Sequence, residues 1–135
     1  MSTVNKISAV TLLIKDMGRS CSFYSKIPGF KLIYGGSHHD FFTTYEIGEN
    51  ISFYLNLELF KLNGNSKYEY SKNLVKIILH TDDVDKLYYY FKNDQIISNL
   101  ISFENEPTDA SWGERYFHIR DPDGYLISFA RSIKV

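Results

Sequence analysis

The sequence lacks the features that define several common classes of protein. Cys21 is the single cysteine among 135 residues, so no disulfide can form within the chain, and we expect a cytoplasmic protein. No apolar run approaches the roughly 18 residues that a membrane span needs, and the first residues lack the apolar centre of a secretory signal. The formal net charge is −1 and no long basic run is present. We therefore expect neither nucleic acid nor a membrane as a partner.

Aromatic side chains, by contrast, are abundant. The chain has eleven Tyr, ten Phe and one Trp, more tyrosines than the core of so short a chain is expected to hold. Tyrosine joins an apolar ring to a polar tip, which suits the wall of a binding cleft or an interface. The alternative explanation is the codon bias of an AT-rich genome, which would also account for the many Asn, Lys and Ile residues.

An internal repeat indicates the architecture. Val10–Ile14 is predicted to be a strand, Asp16 to cap the following helix, and apolar residues recur at helical spacing as far as Ile27. The same order returns 67 residues later, with a strand at 75–79, a cap at Asp83 and an apolar helical stripe from Val84 to Phe91. A shared offset across strand, cap and helix indicates two modules of one design.

Each predicted helix is followed by three predicted strands, which gives an α+β protein of two tandem modules. The N-terminal module spans 1–60, a polar linker spans 61–73, and the C-terminal module spans 74–135. Short turns between the strands favour antiparallel pairing, and Asp121–Gly124, with the sequence Asp-Pro-Asp-Gly, is a strong turn signal. The six strands are expected at 30–34, 41–47, 51–57, 96–103, 114–120 and 125–132.

Two stretches carry a resemblance to a known family. Asp16–Tyr24 with the following Pro28-Gly-Phe, and Ser111–Phe117 with Asp121–Gly124, resemble the N- and C-terminal signatures of the vicinal oxygen chelate superfamily, which includes glyoxalases, bleomycin resistance proteins and dioxygenases. The resemblance implies two βαβββ modules whose curved mixed sheets form a cleft, generally within a homodimer. It covers metal-dependent enzymes as well as metal-free proteins that sequester drugs.

The residues at the family's metal positions separate these two groups. The resemblance places these positions at Ala9, Lys76 and Ser128, with Ser52 or Tyr54 at a fourth, less certain position. None of these side chains suits a catalytic divalent metal, so we expect no metal, no cofactor and no enzymatic activity. The alternative is a glyoxalase-like lyase, isomerase or dioxygenase with an unrecognised metal site, for which Glu46, Glu58 and His118 are spare ligands. His38-His39-Asp40 is the one other cluster of metal-ligand types, and we expect it to hold no specific metal.

The predicted function is therefore metal-independent binding of a small molecule, such as an antibiotic or another planar or cationic compound. Lys76 is predicted to lie on the cleft floor, where it pairs with a ligand carboxylate or phosphate. The alternatives are that it pairs with an internal Glu or that its long stem carries the charge to solvent. Trp112 is predicted to stack on the ligand, and the acidic residues around it (Glu104, Glu106, Asp109 and Glu114) favour a cationic ligand unless they belong to a solvated loop. The predicted ligand-binding residues are Trp112, Lys76, Phe41, Tyr45, Phe53, Tyr54, Tyr116 and Ser128.

Overall fold

The computed structural model describes residues 2–50, 53–60 and 75–133. The chain divides into two compact units, Met1–Lys61 and Leu62–Val135. The predicted linker, 61–73, and the candidate metal position Ser52 lie outside the described residues. None of the helices in the described part of the chain is long and apolar enough to cross a membrane.

The N-terminal unit consists of one helix and a four-stranded mixed sheet. Its elements are β1 (Ala9–Ile14), α1 (Met17–Tyr24), β2 (Phe30–Tyr34), β3 (Phe42–Ile47) and β4 (Phe53–Leu59). The strand order is β1-β4-β3-β2; β1 pairs with β4 in parallel, and the other two pairs are antiparallel. The turn between β2 and β3 needs Gly35, because its φ of +75° is in the left-handed region and a Cβ there would clash with the carbonyl oxygen of Phe42.

Helix α1 covers one face of this sheet. Asp16 caps it as predicted, with its carboxylate accepting a hydrogen bond from the backbone N–H of Arg19 at 3.0 Å. The helix ends at Tyr24, three residues before the predicted end, and the chain continues through tighter turns to Ile27. The core beneath the helix is made of Leu12, Ile14, Met17, Cys21, Tyr24, Tyr45, Leu55 and Leu57, all of them buried.

The C-terminal unit repeats this plan with additions. Its elements are β5 (Lys76–His80), α2 (Val84–Asn93), α3 (Gln95–Leu100), β6 (Ser102–Phe103), β7 (Thr108–Ala110), β8 (Glu114–Arg120) and β9 (Leu126–Ser132). The sheet order is β5-β9-β8-β6, and β7 pairs with β8 as well. The β5–β9 pair is parallel, and the pairs of β8 with β6, β7 and β9 are antiparallel. The α+β class and the two mixed sheets are therefore confirmed.

Helix α2 covers one face of the second sheet with an aromatic core. Asp83 caps the helix as predicted, accepting from the backbone N–H of Lys86 at 3.0 Å. The ring of Phe117 lies 5.3 Å from that of Tyr88 and 5.2 Å from that of Phe129. The buried side chains of this core are Val84, Tyr88, Phe91, Ile97, Phe117, Ile119, Ile127 and Phe129.

The predicted strand at 96–103 is wrong over most of its length. Residues 95–100 form helix α3, and only Ser102–Phe103 is extended. The reason is local, because the Asp94 carboxylate accepts hydrogen bonds from the backbone N–H groups of both Ile96 and Ile97 at 3.0 Å and so nucleates a helical turn. The strand predicted at 75–79 is shifted by one residue: Val75 precedes β5, which spans Lys76–His80, and is 47% exposed.

Candidate functional site

The second sheet has a face that helix α2 does not cover, and we call it the open face. On β8, Arg115 contacts Asp85 of α2. Two residues later, Phe117 contacts Tyr88 of the same helix. The side chains of these alternate residues therefore point to the helix. Side chains alternate along a strand, which places Glu114, Tyr116, His118 and Arg120 on the open face. From the pairing register, Lys76, Ile78 and His80 of β5 and Leu126, Ser128 and Ala130 of β9 share that face.

A column of three rings lies on the open face. Trp112 and Tyr116 are stacked, with 6.1 Å between ring centroids and 22° between ring planes, and the centroid of His118 lies 4.6 Å from that of Tyr116. Trp112 lies in a turn closed by a hydrogen bond from the N–H of Gly113 to the carbonyl oxygen of Ala110 at 3.0 Å. Its ring is 60% exposed, so one end of the column is accessible to solvent.

Backbone contacts fix the position of His118. Between β6 and β7 the edge of β8 lacks a strand partner, and the intervening loop fills the gap. The N–H of His118 donates to the side-chain oxygen of Asn105 at 2.8 Å, and the N–H of Glu104 donates to the carbonyl oxygen of His118 at 2.9 Å. The buried Nδ1 of the His118 ring has no hydrogen-bond partner in the described part of the chain.

Ser128 lies beside this column, and Lys76 lies further along the open face, level with Leu126 and Arg120. Ser128 pairs with Ile78 on one side and with His118 on the other, and it is only 1% exposed. Lys76 is exposed and lies two residues before Ile78 on the same face. Burial lowers the pKa of His118 below its ordinary value, and the positive charge of Lys76 lowers it further, whereas Glu104 and Glu114 act in the opposite direction. His118 is therefore neutral at pH 7.

Two of the four acidic residues near Trp112 have cationic partners. Glu104 pairs with Arg120 at 2.7 Å, and Asp109 pairs with Arg115 at 2.8 Å. Glu114 accepts a long hydrogen bond of 3.4 Å from the indole N–H of Trp112. Half of the negative charges on which the expectation of a cationic ligand rested are thus compensated within the unit itself.

The N-terminal unit also has a sheet face that its helix leaves uncovered, and this face is internally hydrogen-bonded. Thr44 donates to the side-chain oxygen of Asn56 at 2.8 Å, and the Asn56 amide donates to Thr11 at 3.2 Å. The hydroxyl of Tyr54 donates to Glu46 at 3.1 Å, and this contact raises the pKa of Tyr54. The polar side chains of this face satisfy one another across three strands.

The other predicted ligand-binding residues of this unit lie elsewhere. Tyr45 is 0% exposed in the core beside Tyr24, with its hydroxyl 2.7 Å from that of Ser25, and desolvation raises its pKa. A ligand cannot reach it, so we leave Tyr45 out of the site. Phe53 lies two residues before buried Leu55 on β4, so it points to the same side of the sheet, which is the side that the helix covers. Phe41 is exposed and lies just before β3.

Comparison with known proteins identifies the family. A model of the Glyoxalase/Bleomycin resistance protein/Dioxygenase superfamily matches residues 6–129. The chain belongs to this superfamily. No match was found among the curated proteins.

Solved structures share the fold of this chain at low sequence identity. A hypothetical protein, SA1046 from S. aureus, is 22% identical, with a TM-score of 0.64 over 96% of this chain and 98% of the other. A glyoxalase-related enzyme from Fulvimarina pelagi is 14% identical, with a TM-score of 0.65 over 94% and 88%. A bleomycin-binding protein from Streptomyces verticillus, solved with copper(II)-bleomycin, is 18% identical, with a TM-score of 0.63 over 94% and 97%.

The pairing register shows which residues occupy equivalent places in the two sheets. Ala9 pairs with Tyr54 in the first unit, as Lys76 pairs with Leu126 in the second. Two residues further along, Asn56 therefore occupies the place in the first sheet that Ser128 occupies in the second. Within residues 2–50, 53–60 and 75–133, no three His, Cys, Asp or Glu side chains are grouped so as to hold a metal ion.

Two histidine placements could not be read from single positions in the sequence. His38 and His39 lie in a loop, where their rings come within 3.8 Å of each other, although neighbours on a strand would point apart. His118 is named from the sequence only as a spare metal ligand, and the structure places it in the column with Tyr116 and Trp112. The signal that would have found it is the two-residue spacing from Tyr116, which puts both rings on one face of β8.

Proposed function

We propose that this protein is a metal-independent small-molecule binder that holds a planar ligand against the ring column of its C-terminal unit. The observation that carries the proposal is the stack of Trp112 on Tyr116, with His118 tilted against the other side of Tyr116 and Trp112 60% exposed. A flat ligand extends such a stack, and one aromatic contact contributes about 0.5–1.5 kcal/mol beyond area burial. The ligand would be captured and released unchanged, and the bleomycin-binding relative makes antibiotics a natural class to screen.

The test uses a neutral flat probe, naphthalene-2-carboxamide, in buffer with EDTA. We expect measurable binding by NMR titration, with the largest shifts at the indole N–H of Trp112. Trp112→Ala should weaken binding roughly tenfold, the upper end of what one stacking contact supplies. The matched control is Tyr89→Ala, which removes an exposed ring from helix α2, and it should bind as the wild type does.

Two results would contradict the proposal. The first is the absence of binding by this probe, by bleomycin and by a panel of planar antibiotics. The second is about one tightly held metal ion per chain by elemental analysis of the purified protein, together with turnover that EDTA abolishes. The second result would favour the alternative, a lyase, isomerase or dioxygenase.

We also propose a cytoplasmic homodimer. The single cysteine, buried under α1, supports the location. Strand β2 supports the dimer, because it lies at the end of the sheet order and leaves Leu32, Ile33 and Tyr34 substantially exposed. Light scattering after size exclusion should give the mass of two chains, and Ile33→Lys should give the mass of one; a wild-type monomer would refute the dimer.

A further inference from the structure

The hairpin of β7 and β8 carries the exposed indole of Trp112. Its loop consists of Ser111, Trp112 and Gly113, and Gly113 has a φ of +88°, as the last residue of a three-residue hairpin loop generally does. Ala110 pairs with Glu114, the first residue of β8. Because Glu114 follows the loop directly, the hairpin itself keeps its side chain close to the indole.

The carboxylate of Glu114 lies beside the indole ring. Its Oε1 is 3.4 Å from the ring nitrogen Nε1 of Trp112, whose N–H points to it. Tyr116 covers one face of the ring, with 22° between the two ring planes, but Trp112 is 60% exposed, so the other face is open to solvent. A ligand atom stacked about 3.5 Å above Nε1 lies about 5 Å from Oε1. A short substituent on a stacked ring therefore reaches the carboxylate.

The negative charge of Glu114 is not compensated by an ion pair among the described residues. Two arginines are close to it along the strands, but Arg115 and Arg131 pair in register and point to the helix side. The open-face cations Lys76 and Arg120 lie at the other end of the sheet, since six residues of β8 span about 20 Å. The end of the open face that carries Trp112 is therefore acidic.

We propose that the ligand is a planar aromatic cation, which stacks on the free face of Trp112 and places its protonated nitrogen beside the carboxylate of Glu114. The face of an indole ring attracts a cation, and the carboxylate attracts the same group from the ring edge. Both contacts lie at one end of the open face, so one small molecule makes them together. The proposal rests on the proposed function and assigns Glu114 as the residue that selects ligand charge. Glu104 and Asp109 are less suited to this role, because each already has an arginine partner.

Three naphthalene probes of similar shape test the assignment: 2-naphthylmethylammonium, the neutral naphthalene-2-carboxamide and naphthalene-2-carboxylate. At pH 7 and low salt we expect the ammonium probe to bind about three- to tenfold more tightly than the amide, as one exposed ion pair and one cation–π contact together allow. The carboxylate should bind more weakly than the amide. The preference should shrink between roughly 50 and 500 mM NaCl, because salt screens exposed charges.

Variants show whether Glu114 is responsible. Glu114→Gln removes the charge and keeps an oxygen that accepts from the indole N–H, so the ring stack should stay in place. This variant should bind the amide as the wild type does, and the ammonium probe within about twofold of the amide. Glu106→Gln is the matched control, because it removes the same charge from an exposed residue of the loop before β7, and it should keep the wild-type order.

The outcomes separate this proposal from the proposed function. If no naphthalene probe binds, this proposal is overturned, and the proposed function fails as well when bleomycin and the planar antibiotics also do not bind. If the amide binds but the ammonium probe binds no more tightly, only this proposal is overturned. The same holds if Glu114→Gln keeps the ammonium preference or if Glu106→Gln loses it.

Discussion

Arg115 gives the sharpest prediction about stability, because one side chain ties three elements together. Its Nε and Nη2 donate to the two carboxylate oxygens of Asp85 on α2 at 2.9 and 2.8 Å, and its Nη1 donates to Asp109 on β7 at 2.8 Å. The turn that carries Trp112 begins at the end of β7. Arg115→Met keeps most of the apolar stem and removes all three contacts.

The magnitude follows from exposure and geometry. The Arg115 side chain is 30% exposed and that of Asp85 is 47% exposed, so solvent screens much of the attraction. Exposed pairs contribute about 0.2–1 kcal/mol, and a two-point fork belongs at the upper end of that range. We expect the coupling of Arg115 with Asp85 to be about 1 kcal/mol and that with the more exposed Asp109 to be about 0.3 kcal/mol. The loss of about 1 kcal/mol corresponds to a fall in Tm of roughly 4 °C for a chain of this size.

A double-mutant cycle in urea with Arg115→Met and Asp85→Asn measures the larger coupling. Arg115 lowers the pKa of Asp85 below its ordinary value, so the folded state holds the carboxylate more tightly ionised than the unfolded chain does. The stabilisation should therefore be complete above the unfolded pKa of about 3.9 and be lost as the pH falls through the lower folded value. A coupling below about 0.3 kcal/mol at pH 7, or one unchanged at pH 2, would refute this reasoning.

Three further predictions concern single groups. Tyr45→Phe removes the hydroxyl that lies 2.7 Å from that of Ser25 and should lower the free energy of unfolding by about 1 kcal/mol, without changing probe binding. Asp94→Ala removes the cap of α3 and should cost about 1 kcal/mol in the same urea titration, whereas Asp94→Asn should cost much less. By NMR, His118 should titrate below its ordinary pKa. Lys76→Met should raise the pKa of His118 only part of the way to the ordinary value, because burial is the larger cause of the shift. A wild-type pKa at or above the ordinary value would contradict the burial of this ring.

Local signals in the sequence were sufficient for the frame of the fold. The caps at Asp16 and Asp83 both form as expected. An Asp placed directly before a helix accepts a hydrogen bond from a backbone N–H of the first turn, which has no partner within the helix. The Asp121–Gly124 turn also forms: the N–H of Gly124 donates to the carbonyl oxygen of Asp121, and the Asp121 side chain accepts from the N–H of Tyr125. These features depend on residues only a few positions apart, so they can be read without knowing the tertiary structure.

Errors arose where longer-range contacts or competing local signals decide the outcome. The two isoleucines after Asp94 favour a strand by propensity, but the cap and the burial of Ile97 favour a helix, and the helix prevails. Tyr45 was assigned to the ligand by its position on a predicted strand, although the register with buried Leu55 places it under α1. Strand alternation predicts which residues share a face, but which face the helix covers depends on packing between elements.

The two units contrast in where unsatisfied groups remain, and this contrast supports a binding site in the C-terminal unit. In the N-terminal unit, Thr11, Asn56 and Thr44 hydrogen-bond to one another, so a ligand there would have to replace contacts that already exist. In the C-terminal unit, the corresponding face presents Lys76, an exposed cation with no ion-pair partner among the described residues, and the stacked Trp112, which is 60% exposed. Exposed groups of this kind contribute little to folding stability, because the folded chain leaves them hydrated. Under the proposed function their contribution arises when a ligand covers them, whereas the polar groups of the N-terminal sheet already hydrogen-bond to one another.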